Sequence, residues 1–93
     1  MKILIIEDET PSQEYLINIL NGFAFKNIET ANSLDSAILK LNQSQPALVF
    51  SDIRLGNNLV FDAFEKVKNP NFGIIFTTAY EEYALKANKY GKY

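Results

Sequence analysis

Residues 47–58 read "ALVFSDIRLGNN", and how they are read decides the fold. A run that looks buried, Ala47 to Phe50, stops abruptly at Ser51-Asp52, and polar residues then take over almost completely. An apolar strand that ends on a lone carboxylate needs a physical reason. That reason has to come from what stands at comparable places elsewhere in the chain.

Working outward, the same pattern recurs. Lys2–Ile6, "KILII", is short, β-rich and apolar on both faces, as a strand covered on both sides should be. Thr10-Pro11-Ser12-Gln13 then opens a helix, with Thr10 as N-cap, Pro11 in the first helical position and Gln13 completing a T-x-x-Q capping box. Tyr15, Leu16, Ile19, Leu20 and Phe23 follow at helical spacing, and Gly22 is placed to end the helix. Asn27–Ala31 forms a short second strand. Ser33 caps a second helix with Leu34, Ala37, Ile38 and Leu41 in one stripe. Ala47–Ser51 is the third strand. After a polar loop, Phe61, Phe64 and Val67 mark a short third helix, whose two phenylalanines belong to the core. Gly73–Thr77 is a fourth buried strand, and Glu81–Asn88 a fourth helix with Tyr83, Ala84 and Ala87 inward.

Strand and helix alternate four times. That order implies an α/β fold, a doubly wound parallel sheet with helices on both faces. Right-handed crossovers put all strand C-termini on one edge, and working groups in such folds sit on that edge.

Composition narrows the function. The 93 residues suit one small domain, and 47% apolar with 22% charged supports a real core. Nine basic and 11 acidic residues give a net charge of −2, with no basic cluster dense enough for a nucleic-acid footprint. Lys86, Lys89 and Lys92 read as a small solvated tail. Cys and His are both absent, which removes disulfides, thiolate metal sites, most zinc chemistry and Ser-His triads. "MKILIIEDE" is too short and too soon acidic for a signal peptide or a membrane span, so a cytoplasmic protein without membrane contact is expected.

The strand ends carry the chemistry. The first ends in Glu7-Asp8-Glu9, the third in Asp52, the fourth in Thr77-Thr78. If the first and third strands are neighbours, Glu7, Asp8 and Asp52 converge and repel one another. A hard divalent cation is the simple remedy, and Mg²⁺ takes oxygen ligands and shares its shell with phosphate oxygens. A carboxylate beside it can attack a phosphoryl donor to give an aspartyl phosphate, with Thr77 or Thr78 offering a hydroxyl.

In this order and spacing, "ILIIEDE", "VFSDIRL" and "IIFTTAYEEYALKA" resemble the acidic-pair strand, the phosphoacceptor strand and the threonine strand with its helix in receiver domains of two-component response regulators. The last is most like receivers that precede a LytTR-type DNA-binding domain. Together the motifs span residues 1–88. The resemblance implies a flavodoxin-like receiver domain over residues 1–93, of strand order 2-1-3-4, cut short before a fifth strand and helix. It implies that Asp52 is the phosphoacceptor and Asp8 the direct Mg²⁺ ligand. Glu7 would act on the metal mainly through water, Arg54 would lend its backbone carbonyl, and Thr78 would be the switch hydroxyl. Arg54 and Tyr80 stand where side chains tune phosphoryl lifetime. The family's Gly for a left-handed turn after the acceptor is offered here by Gly56, Asn57 or Asn58. Its lysine, usually before Pro, has no counterpart, since Lys89 and Lys92 lack that setting.

The resemblance also implies a sensor histidine kinase as partner and a DNA-binding domain downstream. An open fourth strand would favour a homodimer or a strand-swapped dimer. The chain would not be an enzyme beyond its own phosphoryl transfer and dephosphorylation. The competing function is a phosphorylation-independent interaction module. An aspartate-nucleophile hydrolase is disfavoured because Arg54 stands where such enzymes place a second Asp, and no P-loop or GxGxxG is present.

Overall fold

The structure is a computed structural model that describes residues 1–68 and 70–77. Its elements run β1 (Ile3–Ile6), α1 (Thr10–Gly22), β2 (Ile28–Ala31), α2 (Leu34–Gln43), β3 (Leu48–Ser51), β4 (Arg54–Leu55), β5 (Asn58–Leu59), α3 (Phe61–Phe64) and β6 (Gly73–Phe76). Four strands form a parallel sheet of order β2-β1-β3-β6, the expected 2-1-3-4 arrangement. Each strand of this sheet falls within a predicted one, with one end trimmed by a residue.

Pleating sorts β1 between two cores. Ile3 and Ile5 pack with Leu20 of α1, against Leu16, Ile17 and Phe25. Leu4 and Ile6 face the larger cluster with Ala37 and Leu41 of α2, Phe61 and Phe64 of α3, and Phe76 of β6. Phe61 and Phe64 both meet the Phe76 ring edge-on, at centroid distances of 5.8 and 6.2 Å. On β2, Glu29 accepts from the Ser44 hydroxyl at 3.3 Å and takes Lys2 and Lys40, each at 3.5 Å; the Ser44 hydrogen bond first, and then the two lysines, outweigh the opposing effect of burial and hold the Glu29 carboxyl below its usual range.

Ser33 caps α2 as the sequence implies, accepting from the Ser36 N–H at 3.2 Å, while Ser36 Oγ accepts from the Ser33 N–H. Four expectations change. First, the T-x-x-Q box does not form: Glu9 is the N-cap, Thr10 is already helical, and Gln13 Nε2 instead donates to the Glu7 carbonyl at 2.6 Å. Second, only Leu16, Ile17 and Leu20 of α1 reach the sheet, and Tyr15, Ile19 and Phe23 are 71%, 40% and 73% exposed, because a helix lying on one sheet buries a single stripe. Third, α1 is ended by Ala24 in the left-handed region (φ 68°), not by Gly22. Ala24 N–H bonds Asn21 O and Phe25 N–H bonds Leu20 O, a Schellman arrangement. Fourth, the segment after Asp52 is an antiparallel hairpin rather than an open polar loop, anchored by the fully buried Ile53, Leu55 and Val60. The helix expected over 81–88, with Tyr83, lies outside the described residues, as do Thr78, Tyr80, Lys86, Lys89 and Lys92.

Candidate functional site

The register of the sheet builds the site. Ile6 pairs with Ala31 and Ser51, and Ser51 pairs with Phe76. One residue further along each strand the ladder still holds: Glu7 N–H bonds Ala31 O (3.0 Å), Asp52 N–H bonds Ile6 O (3.1 Å) and Thr77 N–H bonds Ser51 O (2.9 Å). Glu7, Asp52 and Thr77 therefore stand side by side at the C-terminal ends of β1, β3 and β6. Their backbones are fixed by hydrogen bonds that owe nothing to their side chains.

Asp8 follows Glu7, and the three acids come together. Carboxylate oxygens of Glu7, Asp8 and Asp52 lie within 4.8 Å of one another. Burial of the Glu7 carboxyl raises its pKa to about 7; a hydrogen bond and charge repulsion from Asp8, and the charge of Asp52, add to the rise, while the Glu9 N–H at 3.2 Å opposes it. Asp52 Oδ1 is buried and has no hydrogen-bond partner among the described residues. A buried acceptor of this kind is costly unless a further group completes it. Ser51, fully buried beside it, gives its hydroxyl to the Asp52 carbonyl (2.8 Å) and not to the carboxylate.

Arg54 opens the hairpin. Val60 N–H bonds Ile53 O at 2.8 Å, and antiparallel alternation then leaves the Arg54 carbonyl outside the ladder. The Arg54 side chain is exposed. The left-handed turn falls on Gly56 (φ 63°), not on Asn57 or Asn58, and its N–H donates to Asp8 Oδ2 at 2.9 Å. Sequence reasoning offered Gly56 for the turn but gave it no partner. It also assigned Gln13 to a cap, whereas its amide braces the strand that carries the acids. A groove of about 420 Å³ adjoins the cluster, with Glu7, Thr77, Pro11 and Tyr15 among its walls.

The sequence pattern described as the response regulator receiver domain matches residues 3–93. This chain belongs to that family. Among curated relatives it is 36% identical over 93 residues to the sensory transduction protein LytT of Bacillus cereus, covering 94% of this chain and 37% of the relative. It is 35% identical over 92 residues to the sensory transduction protein LytR of Staphylococcus epidermidis, covering 94% of this chain and 36% of that protein. The receiver chain thus spans little more than a third of these relatives' length. Among solved structures, the response regulator PhyR from Brucella abortus superposes with a TM-score of 0.77 at 26% identity, covering 90% of this chain and 35% of that one. The N-terminal domain of an uncharacterized protein from Wolinella succinogenes shares the fold, with a TM-score of 0.84 at 23% identity over 100% of this chain and 76% of that one.

The donor set suits a hard divalent cation such as Mg²⁺: three carboxylates at close range, one with a buried oxygen that has no partner among the described residues, and no His or Cys in the chain to favour a softer metal. Among the described residues no helix is long and apolar enough to cross a membrane.

Proposed function

We propose that this receiver is a phospho-accepting switch in which Asp52 takes a phosphoryl group from a sensor histidine kinase. The observation that carries this is the buried Oδ1 of Asp52, without a partner among the described residues, inside a cluster of three carboxylates at the strand ends. Glu7, Asp8, Asp52 and the Arg54 carbonyl would hold Mg²⁺. When bound, the ion offsets the carboxylates' repulsion and draws charge from the phosphoryl oxygens.

The chain's own residues do the rest. An Asp52 oxygen attacks the phosphorus of the donor, the bond from phosphorus to the imidazole nitrogen breaks, and the imidazole leaves with the electron pair. Asp52 becomes a mixed carboxylic–phosphoric anhydride. The Asp52 N–H bond to Ile6 O and the buried Ser51 hold the nucleophile's backbone still, so the cost of orienting it is met by the fold. Thr78 is proposed as the switch hydroxyl from its place in the sequence after Thr77. The Arg54 and Tyr80 side chains are proposed to slow hydrolysis by hindering water. The receiver acts on no separate substrate. In the whole protein we infer that it serves as the N-terminal part of a cytoplasmic, DNA-binding transcriptional regulator of the LytTR kind; the name of one relative, the transcriptional regulatory protein LytR of Staphylococcus aureus, supports the transcriptional role.

Incubation with Mg²⁺ and acetyl phosphate, followed by intact-mass spectrometry, tests the proposal. The wild type gains one phosphoryl group and Asp52→Asn gains none. Equal labelling of the two would move the site elsewhere.

A further inference from the structure

Asp8 lies one residue past the ladder and is exposed, yet its carboxylate has a fixed partner 48 residues away, the Gly56 N–H. The hairpin is built to present that donor. Arg54 and Leu55 pair with Leu59 and Asn58, which leaves the two-residue turn Gly56-Asn57. Gly56, with a positive φ of 63°, is the first residue of this two-residue turn, and the N–H of that residue takes no part in the strand ladder. Beneath the turn, Ile53, Leu55 and Val60 are fully buried and fix its height above the sheet. A Cβ on Gly56 would meet nothing within 4 Å, so glycine is required there by backbone conformation and not by space.

We propose that Gly56 is a positioning residue for the cation site: its N–H pins one oxygen of Asp8 so that the carboxylate stays aimed into the cluster with Glu7 and Asp52. This rests on the reading of that cluster as a Mg²⁺ site. Without a tether, an exposed carboxylate beside two others turns away into water. A carboxylate accepts about four hydrogen bonds, so one N–H leaves ample capacity for a metal. The partial positive charge of the N–H also offsets part of the repulsion. Partners of this kind are typically worth about 10- to 100-fold in metal affinity, and an exposed bond belongs at the lower end. The opposite device, in which the N–H competes with the ion for Asp8, predicts the opposite sign.

The test is a Mg²⁺ titration followed through the backbone amides of Ile6 and Asp52 in the wild type, Gly56→Ala and Gly56→Asn. Alanine resists the left-handed region and asparagine tolerates it. The Mg²⁺ Kd should rise about tenfold for Gly56→Ala and return to within about threefold of wild type for Gly56→Asn. An unchanged or tighter Kd in Gly56→Ala, or equal losses in both variants, overturns the proposal. If Gly56→Ala does not fold, the metal-free wild type is compared with Asp8→Ala. Loss of the tether should then speed hydrogen exchange at the Gly56 amide and shift its proton upfield, and no change overturns the proposal. A wild type that binds no Mg²⁺ at all is a different failure, that of the metal site itself.

Discussion

Raising the pH of the metal-free protein from about 5 to about 8 should weaken it, and Glu7 is the cause. Its pKa stands near 7 in the folded chain against an ordinary 4.5, mainly because the carboxyl is buried and secondarily because Asp8 and Asp52 crowd it. A carboxyl whose pKa is raised by folding binds more protons in the folded state. The penalty is absent below the unfolded value of 4.5, grows between 4.5 and about 7, and is complete above that. At 1.36 kcal/mol per pH unit the ceiling is about 3.4 kcal/mol. Water around a carboxylate that is only partly buried screens much of this, which leaves about 1 kcal/mol.

The chain has no His and no Cys, and Glu29, whose pKa is lowered, changes its contribution only below 4.5. Urea unfolding in EDTA, followed by circular dichroism across this range, should show a midpoint about 0.5–1 M lower at the alkaline end. Glu7→Gln should flatten the profile, and millimolar Mg²⁺ should restore alkaline stability by binding only the folded state. A flat profile in the wild type, or the same slope in Glu7→Gln, would refute the assignment.

Other expectations are local. Ala24→Gly should stabilise the domain by about 0.5–1 kcal/mol, because relief of the left-handed strain at φ 68° exceeds the added freedom of the unfolded chain; thermal melting reads it. Ser33→Ala removes the α2 cap and should cost about 1 kcal/mol in denaturant unfolding, while Ser33→Asp should retain most of it. Phe61→Ala empties a fully buried site against Phe76 and should cost about 3–5 kcal/mol, enough to leave a large unfolded fraction by NMR.

The strands were legible because "KILII", "ALVFS" and "GIIFT" are uninterrupted apolar runs with few other uses, though only β1 is buried on both faces: β6, expected to be a buried strand, alternates, with Ile74 and Phe76 buried and Ile75 41% exposed. The acids were legible because those runs end on them. What was hidden depends on the third dimension. Tyr15, Ile19 and Phe23 keep helical spacing, but which flank of α1 meets the sheet is set by the sheet, not by period alone. The hairpin after Asp52 has two short strands of two residues each, below the length at which alternation can be recognised, and its polar turn masked the buried Ile53, Leu55 and Val60. The left-handed end of α1 fell on an alanine, where composition gives no signal. Gln13 satisfied a capping motif on paper, yet its amide found the Glu7 carbonyl because Glu9 had already taken the cap position.

The most direct test locates the phosphoryl group and its dependence on metal in one measurement. Protein treated with acetyl phosphate, with Mg²⁺ or with EDTA, is reduced by borohydride, which converts an aspartyl phosphate to homoserine, and is then mapped by peptide mass spectrometry. Homoserine at position 52 in the Mg²⁺ sample alone is the predicted result. Homoserine at Glu7's neighbour Asp8 or at another aspartate, or equal conversion of Asp52 in EDTA, would contradict the account of this site.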